Sequence, residues 1–199
     1  MNRSFAHHQS IGFLTILLIG ILSITASPLW GQKAYRVVSS GNHVLIQGSS
    51  NLHEWESKTE QVSGELVVTE GSLPNTLTQF NKVSFRINVA SITGGKSMMD
   101  SRMMDALKGV RFPVISFQSS VLNIPRANDV TAMGQLTIAG VTLGKTISAT
   151  YTVLSDRIQI KGTARVKMSD FGIAAPTAML GTLKTKDEVV LVFDVTFQR

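Results

Sequence analysis

Residues 158–168 read IQIKGTARVKM, and every second position is apolar or small: Ile158, Ile160, Gly162, Ala164, Val166 and Met168. The positions between them, Gln159, Lys161, Thr163, Arg165 and Lys167, are all polar. Successive side chains of a strand point to opposite faces, so a period of two marks a strand with one dry and one wet face. Residues 189–197 repeat the pattern, with Val189, Leu191, Phe193, Val195 and Phe197 on one side. It recurs at Val83, Phe85, Ile87 and Val89, and again at Ile147, Ala149, Tyr151 and Val153. Weaker versions run through 44–48, 62–68, 115–121 and 130–138. Eight or nine strands result, joined by turn signals such as Gly71-Ser72 and Ser155-Asp156. No repeat, low-complexity tract or linker divides them.

One segment breaks the rhythm. Residues 97–108, SMMDSRMMDALK, carry a Ser97…Asp100 capping signature and place Met99, Met103, Ala106 and Leu107 on one face at helical spacing. Gly109 is the expected stop, and Phe112-Pro113 opens an extended segment. One helix beside many antiparallel strands predicts an all-β fold in which the sheet closes on itself and the helix sits at an end. An open sandwich would leave edges that this sequence does nothing to guard.

Alternation does not say which face is inside. A membrane barrel turns its apolar face outward and carries aromatic girdles at both interfaces. Here aromatic residues are only 7% of the chain, and beyond residue 31 there are one Trp, Trp55, and two Tyr. Lys161, Arg165 and Lys167 would crowd a narrow lumen unpaired. The apolar face is therefore expected inside. Eight strands enclose a space that side chains can fill or that holds one slender ligand. Gly48, Ala132, Gly134, Ala149, Gly162 and Ala164 all fall on the apolar face and leave room. Large residues on facing strands can equally interdigitate into them, and the pattern alone weighs the two outcomes evenly. The methionines of 97–108 are likewise open to two readings, a core stripe or a pliable cover over an apolar entrance.

Residues 1–31 carry a single formal charge, Arg3, and an apolar run at 11–24, IGFLTILLIGILSI. A bilayer span needs roughly 20 residues, so the run fits a secretory signal, with cleavage expected after Ala26 or Gly31. That leaves residues 32–199 as one domain, exported to the periplasm or secreted. The chain has no cysteine, which excludes disulfides, thiolate metal sites and a cysteine nucleophile. Its formal charge of +6 is spread along alternating positions rather than gathered into a stripe, so nucleic acid is not an expected partner.

Motifs suggestive of chemistry dissolve on inspection. Residues 139–146, AGVTLGKT, resemble a phosphate loop, but the loop needs a helix after it and 147–153 alternates as a strand. Asp170-Phe171-Gly172 lacks the other kinase motifs and reads as a turn. His43 and His53 are ten residues apart, and His53 and Glu54, as strand neighbours, would face opposite ways. No metal site, cofactor or catalytic residue is expected, and an enzymatic reading has no activated nucleophile to rest on.

Several segments together resemble a known family: SSNLHEW (49–55), FRINVASI (85–92), 97–120, GQLTIAGVT (134–142) and 170–197, in this order. The chain resembles the YceI-like proteins, which are polyisoprenoid-binding, lipocalin-like secreted bacterial proteins. The resemblance implies an eight-stranded antiparallel lipocalin-like barrel with an apolar tunnel. The implied partner is a long-chain isoprenoid or other lipid, with membrane contact only for lipid exchange. Such a carrier has no catalysis and no cofactor.

Alternation, rather than the resemblance, supplies the expected lining. From the strands these are Phe85, Ile87, Val89, Phe117, Leu136, Ala149, Tyr151, Ile160 and Ala164. Met99, Met103, Leu107 and Phe171 are expected to border the mouth, as is the loop 170–181. The alternative is a ligand-free secreted module that acts through surface contacts with a protein. The oligomeric state stays open, a homodimer included.

Overall fold

The computed structural model describes residues 31–71, 77–178 and 182–199. The expected signal segment therefore lies outside the described residues apart from Gly31, as do part of the Gly71-Ser72 turn and part of the 170–181 loop. The strands are β1 Gln32–Val37, β2 His43–Ser50, β3 Glu54–Thr59, β4 Val62–Glu70, β5 Leu77–Asn88, β6 Val114–Asn123, β7 Asp129–Ile138, β8 Val141–Leu154, β9 Arg157–Lys167, the two-residue β10 Thr177–Ala178, and β11 Leu183–Gln198. All pairings are antiparallel and run β1-β4-β5-β6-β7-β8-β9-β11. The ring closes where Arg36 and Val37 of β1 meet Gln198 and Phe197 of β11.

Eight strand paths make this ring because two of them are kinked. β2 pairs with the middle of β11 and β1 with its end, so β1 and β2 form one path broken at 38–42. β3 and β4 likewise pair with β2 and β1 and form a second path broken at 60–61. Asn42 fastens the first kink. It is fully buried, its amide donates to the Val38 carbonyl, and its carbonyl accepts the Thr196 N–H. Neither β1 nor β3 advertises itself by apolar alternation. In β3 the inward positions are Trp55, Ser57 and Thr59, two of them polar.

The apolar faces point inward as expected: Ile158, Ile160, Val166, Val189, Val195 and Phe197 are all buried. Lys161 and Arg165 point outward and pair with Asp194 and Glu188 on β11. The 139–146 segment contains no phosphate loop. Ala139 and Gly140, at φ 49° and 82°, form the tight turn joining β7 to β8, and 141–146 is strand. A two-residue hairpin of this type needs left-handed φ at both central positions.

α1 spans Ser97–Ala106, and its ends differ from expectation. Lys96, not Ser97, is the N-cap, without a side-chain cap bond. The Asp100 carboxylate instead accepts from the Gly94 N–H and the Thr93 hydroxyl. Thr93 in turn exchanges backbone hydrogen bonds with Lys58 on β3, which ties the helix to the barrel. At the other end Lys108, not Gly109, takes the left-handed conformation at φ 52°. Gly109 donates to the Met104 carbonyl and packs where a Cβ would strike Val89 and Met104. It is small for contact rather than for φ.

Candidate functional site

Register orders the interior from a sealed end to an open one. At the sealed end Tyr35, Leu66, Val68, Phe80, Ile158 and Phe197 are each 2% exposed or less. Phe80 meets Tyr151 edge-on, ring centroids 4.9 Å apart. Just outside, the Tyr35 hydroxyl and the Lys33 ammonium both donate to the Glu70 carboxylate. Burial, reinforced by the bond to Glu70, pushes the Tyr35 phenol up to about 12. The bonds from Lys33 and Tyr35 hold the Glu70 carboxyl below its ordinary range.

Above this floor lie two cavities. The smaller, about 110 Å³, occupies the middle of the ring, and Ser116 is the one polar residue in its lining among the described residues. The larger, about 320 Å³, lies beneath α1 at the open end. Ile115 on β6 and Leu191 on β11 border both cavities, so these two side chains stand between them. The larger volume falls within the roughly 300–1,000 Å³ typical of sites for small molecules.

The even contest between a packed and an open interior has a divided outcome. A Cβ on Gly48 would strike the Trp55 ring, one on Gly134 the Phe117 ring, and one on Gly162 the Phe193 ring. At these three positions an aromatic side chain fills the room that glycine leaves. Ala132, Ala149 and Ala164 line the smaller cavity. The interior is thus packed across its glycines and hollow beside its alanines.

The structure gathers most of the expected lining. Phe85, Ile87, Phe117, Leu136, Ala149, Ile160 and Ala164 border the smaller cavity. Met99, Met103, Leu107 and Phe171 border the larger. Val89 and Tyr151 border neither. Val89 sits in the 3-10 turn after β5, where strand alternation no longer applies, and is buried under Gly109. Tyr151 lies too far toward the sealed end and packs on Phe80.

α1 buries none of its residues. Met98, Met99, Met103, Ala106 and Leu107 border the cavity, and of these Ala106 and Leu107 also pack against the core. Lys108 Nζ donates to the Gly172 carbonyl, which fastens the helix's far end to the turn after β9. Wall residues the sequence reading missed include Ile46, Ser50, Trp55 and Thr185. They come from the kinked β2–β3 pair and the start of β11, where apolar alternation is weak or absent and only Ile46 falls on a legible face.

His53 is in the turn before β3, not on a strand. It stands at the rim of the larger cavity. Ser50 stands there too, but its hydroxyl donates to the His53 carbonyl and accepts the His53 backbone N–H. That pairing is a turn, not a nucleophile with its base. His43 lies elsewhere, with Glu60 3.9 Å away. Among the described residues no three His, Cys, Asp or Glu side chains are grouped to hold a metal ion.

Comparison with solved structures finds the same architecture. The chain is similar to BcnA of Burkholderia cenocepacia, with 21% identity and a TM-score of 0.66 over 78% of this chain and 95% of that one. It is similar to the YceI protein of Campylobacter jejuni at 20% identity and TM-score 0.58, covering 72% and 84%. A polyisoprenoid binding domain from Saccharophagus degradans, implicated in plant cell wall breakdown, aligns at 14% identity and TM-score 0.59 over 82% and 97%. At these identities the likeness shows the fold. No curated protein matches the chain. The model of the YceI-like domain matches residues 35–197, from β1 to the end of β11, and the chain therefore belongs to the YceI-like family.

Proposed function

We propose that this protein sequesters the hydrophobic tail of an isoprenoid or other lipid inside its barrel and carries it without chemistry. The observation that supports this most directly is the pair of apolar cavities bordered in common by Ile115 and Leu191, closed at one end and bordered by a methionine-rich helix at the other. A tail entering beneath α1 can run past these two side chains toward the Phe85–Phe193–Phe197 aromatic cluster, whose rings lie 5.4 to 6.4 Å apart. Each methylene moved from water into such a wall contributes about 0.8 kcal/mol, so length and shape of the tail set affinity. The similar domain named for polyisoprenoid binding agrees with this reading. The apolar run at 11–24 adds export to it, placing the carrier in the periplasm or outside the cell.

Organic extraction of the purified protein, followed by mass spectrometry, tests the proposal. A single-chain lipid in the extract, and a native mass above that of the bare chain, is the expected result. A native mass equal to the bare chain with an empty extract would refute it and favour a module acting through its surface.

A further inference from the structure

The larger cavity is apolar in depth and cationic at its rim. Lys96 borders it from the residue before α1, Arg102 from within α1, and Lys167 from the last position of β9. Among the described residues neither Asp nor Glu occurs in its lining. Three carboxylates on the neighbouring segments are already engaged, and neither Asp105 nor Glu54 forms an ion pair with a described cation. Asp100 accepts from Gly94 and Thr93, Asp170 faces Lys145, and Asp187 accepts the N–H and hydroxyl of Ser169. The two bonds from Ser169, with a smaller share from the Lys167 charge, hold the Asp187 carboxyl below its ordinary range.

β9 displays the contrast along one strand. Lys161 pairs with Asp194 and Arg165 with Glu188, whereas Lys167, next on the strand, forms no close ion pair with a described carboxylate and acts on Asp187 only through its field. Lys96 and Arg102 also form no ion pair with a described residue. Three cationic residues, two of them (Lys96 and Arg102) without an ion-pair partner among the described residues, thus border one apolar pocket. A negative group placed there relieves their mutual repulsion and is attracted by all three, while a neutral group gains neither benefit.

We propose that the lipid held in this tunnel bears an anionic head, a carboxylate or a phosphate, which Lys96, Arg102 and Lys167 hold at the rim. This rests on the tail-carrier reading above and specifies its ligand class.

The test uses three probes that share one tail and differ in head: farnesoic acid, farnesyl phosphate and farnesol. Each is titrated into lipid-free protein at low ionic strength, and into the triple variant Lys96→Gln, Arg102→Gln, Lys167→Gln. At least one anionic probe is expected to bind about tenfold tighter than farnesol, the combined effect of three partly screened pairings. That margin shrinks as salt is added. The triple variant loses the margin while keeping wild-type affinity for farnesol, which shows that its tunnel is intact. Preference for the acid or for the phosphate identifies the head. Farnesol binding as tightly as both anions overturns the anionic head but leaves the tail carrier standing. An undiminished margin in the triple variant overturns the assignment to these three residues. If none of the probes binds, the tail-carrier reading falls too.

Discussion

Filling the smaller cavity gives opposite results for a hollow and a solid barrel. Ala164 on β9 borders that cavity, whose volume is about 110 Å³. At about 24 cal/mol per Å³, an empty void of 110 Å³ costs about 2.6 kcal/mol. Ala164→Leu adds three carbons, and at about 0.8 kcal/mol each their burial returns about 2.4 kcal/mol. The two figures agree, so one leucine side chain matches the void. In lipid-free protein the variant is expected to be more stable. About 2 to 4 °C per kcal/mol for a domain of this size predicts a Tm higher by about 5 to 10 °C. Lipid recovered by extraction from the same variant should fall, because the leucine and the tail compete for one space. Thermal unfolding followed by circular dichroism, with and without added lipid, reads both effects. In a core already packed, the same leucine costs about 1 to 3 kcal/mol. A lower Tm, with unchanged lipid content, would refute the reasoning. Ala149→Leu on β8 repeats the test from the adjacent strand.

Three further outcomes follow from other parts of the barrel. Asn42→Ala leaves the Thr196 N–H and the Val38 carbonyl without their partner inside the kink, and urea unfolding should show a loss of about 1 to 3 kcal/mol. Leu191→Ala removes bulk from the border shared by the cavities, and mass spectrometry of the bound fraction should show longer tails than in the wild type. At the sealed end, the Tyr35 phenol is raised from 10 to about 12, so its stabilising share is full below pH 10 and is lost as pH rises toward about 12. Glu70 is shifted the other way, and its share is present above its ordinary value of 4.5 and lost as pH falls through the lowered value. Glu70→Gln should therefore flatten the acid limb of a stability–pH profile measured by denaturant unfolding, and an unaltered limb would contradict this assignment.

Much of the architecture is written in local pattern. The alternation at 83–87, 147–153, 158–168 and 189–197 states which residues turn inward, because a strand offers only two faces and a one-residue slip would expose every apolar side chain. The helix at 97–106 and the hairpin turns are equally local. Patterning fails where the inward face is not apolar. β3 presents Ser57 and Thr59 to the interior, and β1 contributes a single deeply buried residue, Tyr35, so these two halves of the kinked paths carry no periodic signal. Helix ends escape as well, since Lys108 rather than Gly109 takes the left-handed position under the pull of the Gly109 contact with Val89 and Met104.

The chain's order of residues decides that the barrel is oily within, but not whether it is full. Free volume depends on which large side chain crosses which small one, and that is a property of pairs far apart in the chain. Phe117 covers Gly134, and Phe193, about thirty residues along, covers Gly162, while Ala132, Ala149 and Ala164 border a cavity. The cationic rim has the same origin: Lys96, Arg102 and Lys167 become neighbours of one opening only because the sheet closes and lays α1 across its end.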